Sequence, residues 1–418
     1  MRKTCHSRGN RILFNRLYPL VIFASLDFFS PKFLTLPDKL SKMVMYVGIL
    51  LMLVASCGES KGRQQYNGSL NLTKISWLLL FGLTISAFNA YIYKGQEIIT
   101  SLIANMQSIA YAFLLIFVFY EVEIKTLERW LKVFAILFTA ISFISILSPT
   151  ELFGTTSFDD SRGGIRLRML GIEWVTMFLL YSVNQYALTQ DRKHVRWITI
   201  CSVCLLASLT RQVIVISFGL AILLWFHKAA WLKKMFFGVL LFGLMTYVIP
   251  HVPVANKMIE KTLEEKAAQS QYDNIRIVAF NYFVFEYPRN TQQKLFGIGV
   301  PAFGKSKYGN EYEQTTNLMR VYREDVGYAG FYFNYGLIPL LLVMTLMVVP
   351  LFYKSPPRLL YAKYYLVSVM LLSIASQPIT SNSAIITTMV AIYILYVKQE
   401  TECTNKTNVK ISNNHTGI

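Results

Sequence analysis

"WITICSVCLLASLTRQVIVISFGLAILLWFH" (197–227) is an apolar run with one full charge, Arg211, close to its centre. An arginine facing lipid at mid-membrane costs from about 3 to over 10 kcal/mol, so such residues are rare and usually functional. Read as helix, residues 197–210 rise about 21 Å and residues 213–227 about 22 Å. Neither stretch alone fills a hydrocarbon core of about 30 Å. Two short spans joined at "LTRQ" remove the conflict, with the turn recessed into the outer leaflet. Non-helical backbone at that depth is tolerated only where protein buries it or where it lines a polar cavity. Arg211 is therefore expected to face a cavity open to the outside.

The rest of the chain agrees with a membrane setting. Of its 418 residues, 54% are hydrophobic and only 15% charged, against about 45–50% and 25% in soluble domains. The apolar residues gather in blocks of span length, and no alternating ten-residue strands suggest a barrel. The expected fold is all-α and polytopic: one transmembrane helical domain over 1–418, with a flexible cytoplasmic tail at 398–418. A net charge of +18 could suggest nucleic acid, but the basic residues are scattered through short loops. That is the pattern of membrane topogenesis, and nucleic acid is not an expected partner. Cys201 and Cys204 have CxxC spacing inside an apolar helix without a second ligand pair, so they read as packing residues.

Candidate spans are 12–29, 40–57, 75–93, 98–120, 130–148, 169–189, 195–209, 212–227, 231–249, 328–352, 359–377 and 380–397. Counting the opening run as two spans gives about twelve. Then "QDRKHVR" (190–196), "HKAAWLKK" (227–234), "YKSPPRLLYAK" (353–363) and the basic start "MRKTCHSRGNR" all fall inside. The outside turns "YKGQ" (93–96) and "SQPITSN" (376–382) carry little positive charge. Positive-inside bias thus places both termini in the cytoplasm. No secretory cleavage site follows the basic start, so the first span is read as uncleaved.

Two outer segments stand apart. "PTELFGTTSFDDSRGGIRLR" (149–168) is a polar loop with Arg162, Arg166 and Arg168. Residues 250–327 form a connection too long for a plain link. It opens on an amphipathic stretch, "NKMIEKTLEEKAAQ" (256–269). In "DNIRIVAFNYFVFEYPRN" (273–290), Ile275, Val278, Tyr282 and Phe285 recur at helical spacing. "KLFGIGVPAFGKSKYGN" (294–310) brings four glycines and reads as a loop, its GIG as a tight turn. The chain shows neither an internal repeat nor, by hydropathy, a helix broken at mid-membrane, so the transporter signature is missing.

Three outer stretches carry most of the signal: "TRQ" (210–212), residues 274–304, and "REDVGYAGFYFNYGLIPLLL" (323–342). Together they resemble the O-antigen polymerase and O-antigen ligase superfamily. The likeness lies in an arginine between two short spans, then a long outer loop with an arginine, an aromatic helix, a proline and "FGIG.P.FG". It ends in a polar residue, ten residues, and the glycine of "YGLI". Ligases usually place histidine at that polar position; here Asp325 is followed by ten residues and then Gly336. The resemblance covers roughly residues 160–345 by motif. It implies a GT-C-like glycosyltransferase at the periplasmic face of the bacterial inner membrane, using undecaprenyl-pyrophosphate-linked oligosaccharide as donor and acceptor. The implied product is O-antigen, capsule or exopolysaccharide. A chain-length regulator and a flippase are implied companions, and the polymerase branch is favoured over the ligase.

The residue chemistry fits such a transfer. Breaking the bond from the anomeric carbon to pyrophosphate builds charge on the leaving phosphate. Arginine's planar fork stabilises that charge without changing protonation state. The candidates are Arg211 and Arg276, with Arg166, Arg168, Arg320 and Arg323 as substrate-binding residues. Attack by a sugar hydroxyl wants a base, for which Asp325 is first, with Glu324 and Asp273 as alternates. Glu173, in "GIEW", could orient an arginine. No cofactor and no metal are expected, since only His251 of five scattered histidines falls outside. Each residue also has a plainer reading: Arg211 and Arg276 as ion-pair partners, Arg166 and Arg168 as loop charges, and Asp325 as a helix cap. Solute or polysaccharide transport is the competing function from another class.

Overall fold

The computed structural model describes residues 2–31, 40–56, 71–147, 152–153, 170–208, 210–226 and 275–397. Among these the chain is all-helical, with no strand beyond an isolated bridge between Pro31 and Phe153. The first helices are α1 (Arg2–Ser25), α2 (Leu40–Ser56), α3 (Leu72–Lys94), α4 (Ile98–Asn105), α5 (Phe113–Phe119) and α6 (Ile124–Leu147). Next come α7 (Ile172–Thr189), α8 (Arg192–Ala207) and α9 (Arg211–Phe226). After residue 274 follow α10 (Ile275–Asn281), α11 (Thr291–Phe296), α12 (Lys307–Met319), α13 (Gly327–Tyr335), α14 (Leu337–Val348), α15 (Leu360–Leu372) and α16 (Asn382–Tyr396).

The opening run forms two helices. They approach closely because Gly48 has no Cβ; one built there would lie 2.3 Å from Val21 Cγ2. Helix starts and stops follow local chemistry. Asn71 caps α3 by accepting from the backbone N–H groups of Thr73 and Lys74, and Gly95 ends it in the left-handed region. Asp191 caps α8 through Lys193 N–H. "LTRQ" does separate two short helices, α8 and α9 being 16 residues each.

Every expected span except 231–249, which lies outside the described residues, falls on a helix. Two are interrupted, so the expectation of unbroken helices needs correction. Between α4 and α5, Met106–Ala112 is a 3-10 stretch. Here Ser108 Oγ bonds Asn105 O and the Tyr111 hydroxyl reaches Ile379 O, both at 2.7 Å, in a sequence without proline or glycine to announce the change. Residues 328–352 break at Gly336, whose φ of 83° only glycine holds without strain.

Helix α16 is the central post, buried from Ser383 to Tyr396. It packs against α5, α7 and α15. Its hydroxyls bond within the helix or to neighbours, as Thr387 does to Ser383 O (2.9 Å) and with Tyr365 (2.6 Å). Aromatic rings fill the space toward α1 and α5, Phe117 meeting Tyr18 and Tyr393. Cys201 and Cys204 are buried free thiols.

The outward faces are also apolar: Val54, Phe81, Ile92 and Val215 are each more than 60% exposed. Among the described residues two helical stretches, Leu72–Lys94 and Ile98–Phe119, are long and apolar enough to cross a membrane, and five shorter apolar helices accompany them. At one end of the bundle Glu128 binds the Arg358 guanidinium and accepts from the Tyr361 hydroxyl, while Asn184 donates to the carbonyls of Pro357 and Arg358. The other end, the loop end, carries residues 275–326.

Candidate site at the loop end

The loop end is assembled by backbone contact between two of the glycine motifs. Ile298 and Gly299 donate to the carbonyls of Phe333 and Asn334, at 3.1 and 2.9 Å. A Cβ on Gly297 would lie 2.3 Å from Asn334 O, and one on Gly336 would lie 2.3 Å from Gly297 N. Both glycines have positive φ. "FGIG" and "YGLI" are therefore the two sides of one crossing, where no side chain fits.

Above the crossing, Phe283, Tyr308, Tyr312 and Phe333 form a second core. Arg323 is built into it. Its guanidinium lies 5.3 Å from the Phe303 ring and 5.8 Å from that of Tyr312. It donates to Asn334 Oδ1 at 3.1 Å and Glu324 Oε1 at 3.0 Å. Its side chain is 12% exposed, so its charge holds the outer loop on α13. Burial pushes the Tyr287 and Tyr312 phenols up from 10, and Tyr308 well above it. The Tyr308 hydroxyl donates to Gly299 O at 3.2 Å.

The α3–α4 turn staples the loop from below. Asn89, fully buried, donates to Gly297 O (2.8 Å) and accepts from Gln292 (3.1 Å). Gln96 accepts from Ala302 N–H and Ser306 Oγ and donates to Val300 O. The Lys94 ammonium stands 4.4 Å from the Tyr287 ring centre. These polar residues were not among the sequence candidates. Their signal was amides set in an apolar span and its outer turn, where an unpaired amide is costly.

Beside this lies a cavity of about 220 Å³ lined by α7, α9, α15 and the 376–381 turn. Glu173 is in its wall, accepting from Ser383 Oγ at 3.1 Å. Val213, two residues past Arg211, is also in the wall. Gln212 donates to Leu372 O at 3.2 Å and fixes the start of α9 against the end of α15. Gln377 lines the same cavity and donates to Arg323 O at 2.6 Å.

The predicted residues are distributed around these features. Arg211 is the first residue of α9 and half-buried, its Nε and Nη2 shut off from solvent. Arg276 is exposed on α10, which packs against the turn Arg323–Asp325. Asp325 is exposed in that turn, its N–H bonded to Tyr322 O. Arg320 ends α12 in the left-handed region, exposed. Glu173 accepts from the Ser383 side chain. Arg162, Arg166, Arg168, His251 and Asp273 lie outside the described residues, as do the helix expected at 256–269 and the tail 398–418. The structure thus brings the Arg276 helix and the Asp325 turn together, and links them to the Arg211 end of α9 through Gln377.

No protein-family model and no curated protein matches this chain.

Proposed function

We propose that this chain is a multi-pass protein of the bacterial cytoplasmic membrane that polymerises lipid-linked oligosaccharide repeats. It would transfer the growing glycan from its undecaprenyl-pyrophosphate carrier to the next repeat at the periplasmic face. The observation that carries the reading is the gathering of the "TRQ", "FGIG" and "RED" stretches at one end, near a cavity whose wall residue Gln377 bonds the Arg323 carbonyl. A guanidinium such as that of Arg211, two residues from Val213 in the cavity wall, can stabilise the charge of a departing pyrophosphate. The apolar outward faces support the membrane setting, because soluble monomers rarely expose such large contiguous apolar surface. Two spans meet the length criterion by themselves; about twelve is the count from hydropathy and loop charge, with both termini cytoplasmic. The polymerase would work beside a flippase and a chain-length regulator, and would use no cofactor.

Ligation of finished glycan to lipid A core or another acceptor is the neighbouring activity, disfavoured by Asp325 where ligases usually carry histidine. Transport keeps one argument, the interruption of the 98–119 run by Met106–Ala112, since irregular backbone within a bundle lines pathways in carriers. Glycan analysis of a deletion strain separates these readings. Loss of a polymerase leaves single repeats on the final acceptor, and that is the expected result. Long glycan still on its lipid carrier would mean a ligase. Single repeats trapped on the inner face would mean a flippase.

A further inference from the structure

The cavity at the loop end holds about 220 Å³. That is roughly seven waters' share of the liquid, at about 30 Å³ each. It is smaller than the ~300 Å³ of pockets that enclose drug-sized ligands. One sugar ring fits these dimensions; an oligosaccharide does not. Among the apolar residues of the wall stand groups that bind hydroxyls: Glu173 and Thr176 from α7, Ser368 from α15, and Ser376, Gln377 and Ser381 from the following turn. Ser368 is fully buried, and its Oγ has no hydrogen-bond partner among the described residues. Such a hydroxyl is a loss to the fold unless something else satisfies it.

Glu173 sits where a ligand in this cavity would meet it. Its carboxylate accepts from Ser383 Oγ at 3.1 Å, and the backbone N–H groups of Gly171 and Glu173 also face it. These contacts leave part of the carboxyl group's hydrogen-bonding capacity for a partner inside the cavity. Asp325, by contrast, is exposed in its turn and is not in this wall.

We infer that this cavity seats the attacking sugar of the acceptor, and that Glu173 takes the proton from its hydroxyl; the inference rests on the polymerase reading above. In the step, the hydroxyl oxygen forms a bond to the donor's anomeric carbon. The bond from that carbon to the pyrophosphate oxygen breaks, and its electron pair leaves with the polyprenyl pyrophosphate. The hydroxyl proton passes to Glu173 and then to water. Val213, two residues past Arg211, is in the cavity wall, so the Arg211 end of α9 lies beside the cavity, where the departing phosphate would be met.

The test uses purified full-length protein in nanodiscs, with single repeats on undecaprenyl pyrophosphate as both donor and acceptor. Glu173→Gln should lower kcat about 100-fold or more, the scale of general-base catalysis, with KM little changed and the acid limb of the pH profile gone. Glu173→Asp should recover part of the rate with that limb present. Ser381→Trp, which fills the mouth from a half-buried turn, should raise KM and tests the cavity even if Glu173→Gln does not fold. Glu173→Gln elongating at the wild-type rate, or slowed with an unchanged pH profile, overturns the assignment. So does normal elongation by Ser381→Trp. Wild-type protein that does not elongate these repeats overturns the polymerase reading, and the inference with it.

Discussion

The side-chain amide of Gln377 donates to the backbone carbonyl of Arg323 across 2.6 Å and fifty-four positions of sequence. Gln377 belongs to the turn that lines the cavity, and Arg323 to the outer loop. The bond therefore sets the distance between the cavity and the loop that covers this end. A Cβ on Gly330 would lie 2.4 Å from the same amide nitrogen. Gln377→Ala and Gly330→Ala should each shorten the surface glycan while leaving protein level unchanged, one by deleting the bond and the other by displacing it. Gel profiles of surface polysaccharide check this; wild-type chain lengths in both variants would show that the link has no functional weight.

The glycine crossing predicts a graded stability series. Gly297→Ala and Gly336→Ala combine positive φ with contacts of 2.3 Å to backbone, and forced backbone of this kind costs about 1–3 kcal/mol before any clash is added. Gly304→Ala has a φ of 64° but nothing within 4 Å, so it should cost less. Thermal unfolding in detergent should rank the first two well below the third.

Asn89 predicts a penalty of a different kind. Asn89→Leu keeps apolar volume but leaves Gly297 O and the Gln292 amide without their partner. Losing a buried partner costs about 1–3 kcal/mol. Asn89→Leu should therefore destabilise the loop end, and protease cleavage near residues 291–306 should quicken relative to wild type. Equal cleavage rates would show that Asn89 does not staple the loop.

The phenol cluster gives the loop an alkaline limit. Burial holds Tyr308 well above 10, with Tyr287 pushing the same way. The unfolded phenol titrates near 10, so unfolding releases protons above that pH. Stability is full below about pH 10 and declines as pH rises beyond it. Protease sensitivity of the loop should increase above pH 10, and Tyr308→Phe should weaken that dependence while lowering stability at neutral pH through loss of the bond to Gly299 O.

Much of this was legible in the residues. Apolar runs located the helices, "LTRQ" marked a break between two short ones, and the GIG glycines marked a tight turn. Other features were not. The break at Gly336 was hidden inside an apolar run. Asn89 and Gln96 bond carbonyls about two hundred positions away, and no local periodicity encodes such a partner. Of Ile275, Val278, Tyr282 and Phe285, only Tyr282 is buried, alongside Ala279 and Phe283. The wider π turn at Tyr282–Glu286 rotates the register so that Phe283 enters the core and Phe285 faces out. Arg323 looked like a ligand for phosphate from its sequence position; its ring neighbours 303 and 312 come from parts of the loop whose folding back was not readable from spacing.

The proposed chemistry turns on the Arg211 guanidinium holding the pyrophosphate of the glycan donor. Surface-polysaccharide length decides this in a deletion strain complemented with Arg211→Ala or Arg211→Lys, with protein level and membrane topology checked in parallel. Long chains should vanish with alanine and return poorly with lysine, since a point charge cannot replace the planar fork. Wild-type chain lengths in Arg211→Ala would contradict that role for Arg211.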